Sequence, residues 1–251
     1  MVVCDHVEGV VSSPQGPFYG ALAHGYACGA HTPVHVSRPW NALDDPVHDY
    51  TGNRESLADS WGVTTEEDWS RQVEYLLGGM NVGPEVDVVL NVRRMVLRQQ
   101  GHYDLPTWQN AVRKWARWQL RKEPAEVDEM VHLAGVVTRY ESRFRTDGLL
   151  PHDGIVTSVF GYDFGRAVNM ARWGFGGRFC DYPTAERIVL RAGELCRQHY
   201  TSWADFSAGY ALGSVIRFDE EKYGHLYAAV RGPHRLLVAD RTSPWWHVPF
   251  A

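Results

Sequence analysis

The sequence predicts a mainly α-helical protein. It reads as a compact bundle of about seven helices, preceded by an irregular arm over residues 1–53 and followed by a segment that could form a small β-hairpin. Three observations carry that reading. From residue 55 onward, caps, prolines and glycines bound a succession of helix-length stretches. One of those stretches shows apolar and polar stripes at helical spacing. Residues 1–53, by contrast, hold Pro14, Pro17, Pro33, Pro39 and Pro46 with Gly9, Gly16, Gly20, Gly25 and Gly29, a density of breakers that excludes long helices. The 251 residues, 44% apolar and 22% charged, suit an ordinary globular chain of one domain with an appendage. The division expected is therefore 1–53 for the arm and 54–251 for the helical body.

The arm carries Phe18, Tyr19, Tyr26 and Trp40, aromatic weight that suggests packing on the body, with short strands read at Val7–Val11 and Val34–Val36. The first helix opens on Thr64 and Glu67 as a T-x-x-E capping box, runs to Leu77 and stops at Gly78-Gly79. Pro84 starts a second helix, through about Gln99; Pro106 starts a third, with Trp108, Val112, Trp115 and Leu120; Pro124 starts a fourth, reaching Arg145. After a polar loop at 147–158, a fifth helix covers about Tyr162–Phe175. Pro183 opens a sixth to His199, and Ser202 caps a seventh to Gly213. Leu226–Val230 and Arg235–Ala239, joined by Gly232-Pro233, could form the hairpin. Pro244-Trp245-Trp246-His247-Val248-Pro249-Phe250 reads as a docking strap.

Composition excludes several functions. No apolar run approaches about 18 residues, so no membrane span is expected. Met1–His6 lacks the basic and apolar regions of a secretion signal. A net charge of −5 gives no global case for nucleic acid. Cys4, Cys28, Cys180 and Cys196 form no C-x-x-C, so free thiols in a reducing cytoplasm are expected. Of 25 basic residues, 22 are arginine, which fits a GC-rich genome and also fits bidentate grip on carboxylate, phosphate or sulfate.

The fifth helix is the most informative segment. Tyr162, Arg166, Asn169 and Trp173 lie on one stripe, while Phe164, Val168, Ala171 and Phe175 form a core face beside it. Asp163 stands three residues before Arg166, within ion-pair reach on a helix. Two readings remain open. Asp163 and Arg166 could pin the helix in a buried polar network. Alternatively Arg166, with Arg172 or Arg178, holds an anionic group, Asn169 adds an amide, and Tyr162 and Trp173 wall the pocket.

The run from Tyr162 to Gly174, Y-D-F-G-R-A-V-N-M-A-R-W-G, resembles the signature helix of DUF1266, a bacterial family of unassigned function. Thr201-Ser202-Trp203-Ala204-Asp205-Phe206 and Tyr210-Ala211-Leu212-Gly213 are similar to that family's closing elements. Leu57-Ala58-Asp59-Ser60-Trp61-Gly62-Val63 is similar to its opening W-G-V element. The resemblance covers about residues 55–215 and implies a helical fold but no reaction. One departure stands out: a Gly-His-Arg-like element expected after the first helix reads Gly78-Gly79-Met80. A ligand changed in this member would follow if that element helps to build a site.

Other constellations weigh less. Cys28, His31 and His35, with Cys4, His6 and His24 nearby in sequence, carry zinc-ligand side chains, but the spacing is poor and packed or surface histidines are the favoured reading. His48-Asp49 and His152-Asp153 are adjacent pairs in loops; His152, just before the signature helix, is the better candidate base. No nucleophile elbow, phosphate loop or dinucleotide fingerprint is present, so no cofactor is expected. Arg113, Lys114, Arg117, Arg121 and Lys122 read as a solvated helix face.

Two functions compete. The first is a cofactor-independent enzyme, or one subunit of one, acting on a small anionic metabolite by group transfer, elimination or intramolecular displacement in bacterial specialised biosynthesis. Arg166, Asn169, Arg172, Trp173 and Arg178 would bind the substrate, and Asp163, His152 or Tyr162 would manage a proton. The second is a protein-interaction module, an accessory subunit or toxin-neutralising partner without catalysis of its own.

Overall fold

The computed structural model describes residues 9–43 and 49–250, and throughout these the protein is all α. Twelve helices follow one another: α1 Gly20–Cys28, α2 His31–His35, α3 Tyr50–Trp61, α4 Glu66–Leu77, α5 Pro84–Gln100, α6 Leu105–Trp118, α7 Pro124–Asp147, α8 Phe160–Gly176, α9 Tyr182–His199, α10 Trp203–Phe218, α11 His225–Ala239 and α12 Pro244–His247.

Local chemistry sets most boundaries. Asp49, Asp104, Asp181 and Ser202 accept the backbone N–H three residues on and so satisfy a free donor of the first turn. Prolines occupy the first turns of α5, α6, α7, α9 and α12, where no intrahelical N–H is needed. The capping box of α4 sits one residue later than the sequence suggested. Thr65 caps the Asp68 N–H, and the Asp68 carboxylate reaches back to the N–H groups of Thr64 and Thr65.

α8 is the centre of the assembly. It packs against α9, α10, α4, α1 and α3, and both of its faces are largely buried. Small residues allow the close approach: a Cβ on Gly174 would lie 2.1 Å from the Trp69 indole nitrogen, which donates to the Met170 carbonyl. Helices α5, α6 and α7 pack on one another as a second group, and α10 joins them to α8. Arg93 and Glu141 form a buried ion pair within that group.

Three expectations are corrected. The C-terminal hairpin is a single helix, α11, with Pro233 inside it. Tyr227, Val230, His234 and Leu237 recur at helical spacing and are buried. Burial of that stripe outweighs the hydrogen bond that Pro233 cannot make. Residues 20–28 and 31–35 of the arm are helical. Val34 lies in α2 and Val36 caps it, so no strand forms there. Of the Val7–Val11 strand, residues 7 and 8 lie outside the described residues, and Val11 makes only an isolated bridge to Pro39. Finally, α3 over Tyr50–Trp61 is a helix that runs across the boundary expected at residue 53 between arm and body.

The C-terminal strap does dock. Trp245 stacks on Trp203 and donates to the Ala27 carbonyl, while the Trp203 indole donates to the Val248 carbonyl. No helix of the described residues is long and apolar enough to cross a membrane.

Candidate functional site

Five segments converge on a cleft of about 320 Å³. The end of α3 contributes Ser60 and Trp61, and α4 contributes Gln72 and Tyr75. The turn after α4 adds Asn81, α8 adds Tyr162 and Arg166, and the last turn of α10 adds Arg217 and Phe218. Among the described residues two guanidinium groups therefore line it, and no carboxylate does.

Each arginine is held by its neighbours. The Arg166 guanidinium sits against two neighbouring indoles, 5.0 Å from the Trp61 ring centre and 4.9 Å from that of Trp173, with Tyr162 at 6.0 Å. Aromatic faces attract the cation and fix its plane without consuming its N–H groups. Its only hydrogen bond among the described residues is a long one, 3.4 Å from Nη1 to the Thr32 hydroxyl, and its Nε is buried without a partner among them. Arg217 donates from Nη1 to the Asn81 carbonyl at 2.7 Å, which anchors α10 to the turn after α4.

Asp163 does not pair with Arg166. Its Oδ2 accepts the backbone N–H groups of Asn81 at 2.9 Å and Val82 at 3.3 Å, and its Oδ1 is buried without a hydrogen-bond partner. Burial pushes the carboxyl up to about 6, against the pull of the two backbone donors and of the Arg217 charge. Its first role is thus to shape the turn that presents Asn81. A carboxyl raised in the native state adds most stability below its unfolded value near 4, and that contribution fades as pH rises through about 6. Asp163→Asn keeps an oxygen for the two N–H groups and removes the buried charge. It is expected to raise stability at pH 7 by about 1 kcal/mol or more and to flatten the pH dependence between 4 and 7. Asp163→Ala strands both donors and is expected to lower stability by about 1–3 kcal/mol. Denaturant melts at pH 5 and pH 7 check both, and an asparagine variant as unstable as alanine at pH 7 would refute this role.

The remaining residues of the stripe divide. Asn169 is buried and donates to the Gly29 and Gly165 carbonyls, tying α8 to the α1–α2 corner. Asn169, Arg172 and Trp173 border a second, smaller cavity of about 130 Å³ with Thr32 and Arg38. Arg172 donates to the Trp40 carbonyl and lies over the Tyr26 ring. Trp173 backs the Arg166 guanidinium while facing that second cavity. Tyr162 lines the main cleft beside Tyr210, and burial pushes its hydroxyl up to about 12. Arg178 is exposed after α8, over the Tyr50 ring, and His152 is exposed in the turn before α8; neither lines either cavity.

Sequence reasoning missed Arg217, Asn81, Gln72 and Tyr75. A signal for Arg217 existed: Tyr210, Gly213 and Arg217 share one face of α10, and Gly213 and Tyr210 both abut Tyr162. The others depend on how α4 lies against α8.

The zinc-type residues do not converge. Cys28 lies 3.8 Å from His24, and His31 bonds Ser207, which in turn contacts His234. No group of three His, Cys, Asp or Glu side chains suited to a metal occurs among the described residues, and Cys4 and His6 lie outside them. Of His48-Asp49, His48 is also outside the described residues, and Asp49 caps α3. Arg113, Lys114 and Arg117 are exposed on α6, while Lys122 bridges Glu85 and Glu126.

A family model described as "Protein of unknown function (DUF1266)" matches residues 56–250. It extends past the 55–215 span of the resemblance to take in α11 and α12. No curated protein and no solved structure matches the chain.

Proposed function

The chain belongs to the DUF1266 family, and from that premise we propose that it is a cofactor-independent enzyme, or the substrate-binding subunit of one, that takes a small organic anion in the cleft between α3, α4, α8 and α10. One observation carries this reading: two arginines held by aromatic rings and a backbone carbonyl line a cleft that contains no carboxylate. Arg217 is exposed and Arg166 half-buried, so both guanidinium forks are open to a carboxylate or phosphate oxygen. Arg166 and Arg217 would grip the acid group, and Trp61 and Tyr162 would wall the body. Tyr162, with its raised hydroxyl, would stay protonated and donate a hydrogen bond. Group transfer, elimination and intramolecular displacement all develop negative charge that such a site could hold. A reducing compartment fits the free thiols Cys28 and Cys196, and a bacterial biosynthetic role fits the arginine-rich composition.

Native mass spectrometry on protein purified gently from its own host is the test. The expected result is a bound small acid that is lost, together with at least about tenfold in affinity for added anions, in Arg166→Gln and in Arg217→Gln. A bare chain that also ignores phosphate, sulfate and carboxylates at millimolar concentration would overturn the reading.

The second reading is an interaction module. Exposed Trp118 and Trp246 favour it. A second chain at fixed stoichiometry in the same spectrum, with no ligand, would support it.

A further inference from the structure

The cleft does not end at Arg166 and Arg217. Trp61, Gln72 and Tyr75 also line a second depression of about 310 Å³, which continues past Gly62 and Val63 to Asp68 and Arg71. The two share Trp61, Gln72 and Tyr75, so a polar head and an aromatic waist lie side by side. Resting on the anion-binding reading above, we propose that its ligand is a phosphate monoester of an aromatic or heterocyclic body, the phosphoryl group between Arg166 and Arg217 and the ring against Trp61 and Tyr75.

Donor geometry argues for a phosphoryl head. Arg166 approaches from α8 and Arg217 from α10, with Ser60 and Gln72 on the other walls. Among the described residues most of the ten guanidinium N–H groups have no acceptor: Arg217 commits one to Asn81, and Arg166 makes its long bond to Thr32. A planar carboxylate is satisfied by the fork of one guanidinium, whereas a tetrahedral group with three oxygens accepts from several directions at once. Two cations also match a dianion better than a monoanion.

The waist argues for a ring. Trp61 is fixed by the Arg166 guanidinium on it and by Trp173 beyond, with ring centres 6.3 Å apart. Tyr75 is 45% exposed and stands beside it in both depressions. Exposed aromatic side chains flanking a groove are stacking surfaces for flat ligands. Gln72 adds an amide that can donate to and accept from ring heteroatoms. The far end brings no free charge, because Arg71 and Asp68 are paired with each other and Asp68 closes the α4 cap.

Calorimetric titration of the full chain with phenyl phosphate, a purine nucleoside 5′-monophosphate, inorganic phosphate and benzoate tests this. The expected order places an aryl or nucleoside phosphate about tenfold or more above inorganic phosphate, and benzoate weakest. Which of the two monoesters binds tighter tells a nucleotide from a simple aryl metabolite. Tyr75→Ala, a half-exposed position that does not threaten folding, is expected to erase most of the ring's advantage and leave inorganic phosphate binding unchanged. Benzoate as tight as phenyl phosphate would overturn the phosphoryl head. Monoesters no tighter than inorganic phosphate would overturn the ring site. In both cases the anion-binding reading survives, whereas binding of none of the four would remove that reading as well.

Discussion

Replacing Arg93 with leucine is expected to cost about 3–5 kcal/mol of unfolding free energy. The Arg93 and Glu141 side chains are each 1% exposed and meet as a two-bonded fork at 2.8 and 2.9 Å. Arg93 also donates to the Val156 carbonyl and lies 4.6 Å from the Trp108 ring centre, while Glu141 accepts the Val156 N–H at 2.7 Å. Two fork bonds and three further contacts thus close around two charges and join α5, α7 and the loop before α8. Removing the guanidinium leaves a carboxylate in the core with one backbone N–H and the distant edge of Arg145, 3.6 Å away. A buried charge without its partner is the expensive state; a buried pair replaced as a whole often is not. The double variant Arg93→Leu/Glu141→Leu is therefore expected to be more stable than Arg93→Leu alone, although it lacks one more native side chain. Urea unfolding of the two single variants and the double one checks this, and a single-variant loss under about 1 kcal/mol would refute it.

Gly25→Ala is expected to destabilise the protein by about 2–3 kcal/mol, against the local preference of the helix. Within a helix, alanine is favoured over glycine by about 1 kcal/mol, so the sequence alone predicts a gain. A Cβ at this position would lie 2.3 Å from the Val189 carbonyl oxygen of α9, and one on Gly193 would lie 3.0 Å from the Gly25 Cα. α1 and α9 meet backbone to backbone, and a carbonyl in a helix cannot step aside as a side-chain tip can. Gly135→Ala in α7 is the contrast. Its added methyl meets the tip of the Arg139 side chain at 3.1 Å and the Gln109 amide at an ordinary 3.9 Å, so a neutral or favourable change is expected. Thermal melts should show a clear drop for Gly25→Ala and no drop for Gly135→Ala. Equal, small shifts would mean that α1 is not wedged into the core.

The helices from α4 to α10 were legible because their signals are local. Asp181 and Ser202 cap from one turn away, and Pro84, Pro106 and Pro124 declare first turns within a residue or two of where they lie. α11 was not legible, because Gly232-Pro233 gives a strong local turn signal and only burial against α10 and α2 overrules it. α1 was not legible for a related reason. Gly20, Gly25 and Gly29 look like breakers in isolation, but Gly25 is what lets α1 reach α9. At the site, Tyr162 and Arg166 were visible as one stripe of a helix, whereas Arg217 comes from 51 residues later and meets them only through the packing of α10 on α8.

The sequence by itself determined the helical class, most helix boundaries, the family, and a helix, α8, that carries a polar stripe beside its core face. Those properties depend on contacts within a few residues: caps, prolines, and the 3.6-residue period. Only the tertiary structure decided that Asp163 serves the turn at Asn81 instead of pairing with Arg166. It also decided that the stripe is shared between two cavities, and that a second arginine with no carboxylate opposite completes the cleft. Each of those outcomes is set by which helix faces which, and that is decided by the joint burial of surfaces far apart in the chain.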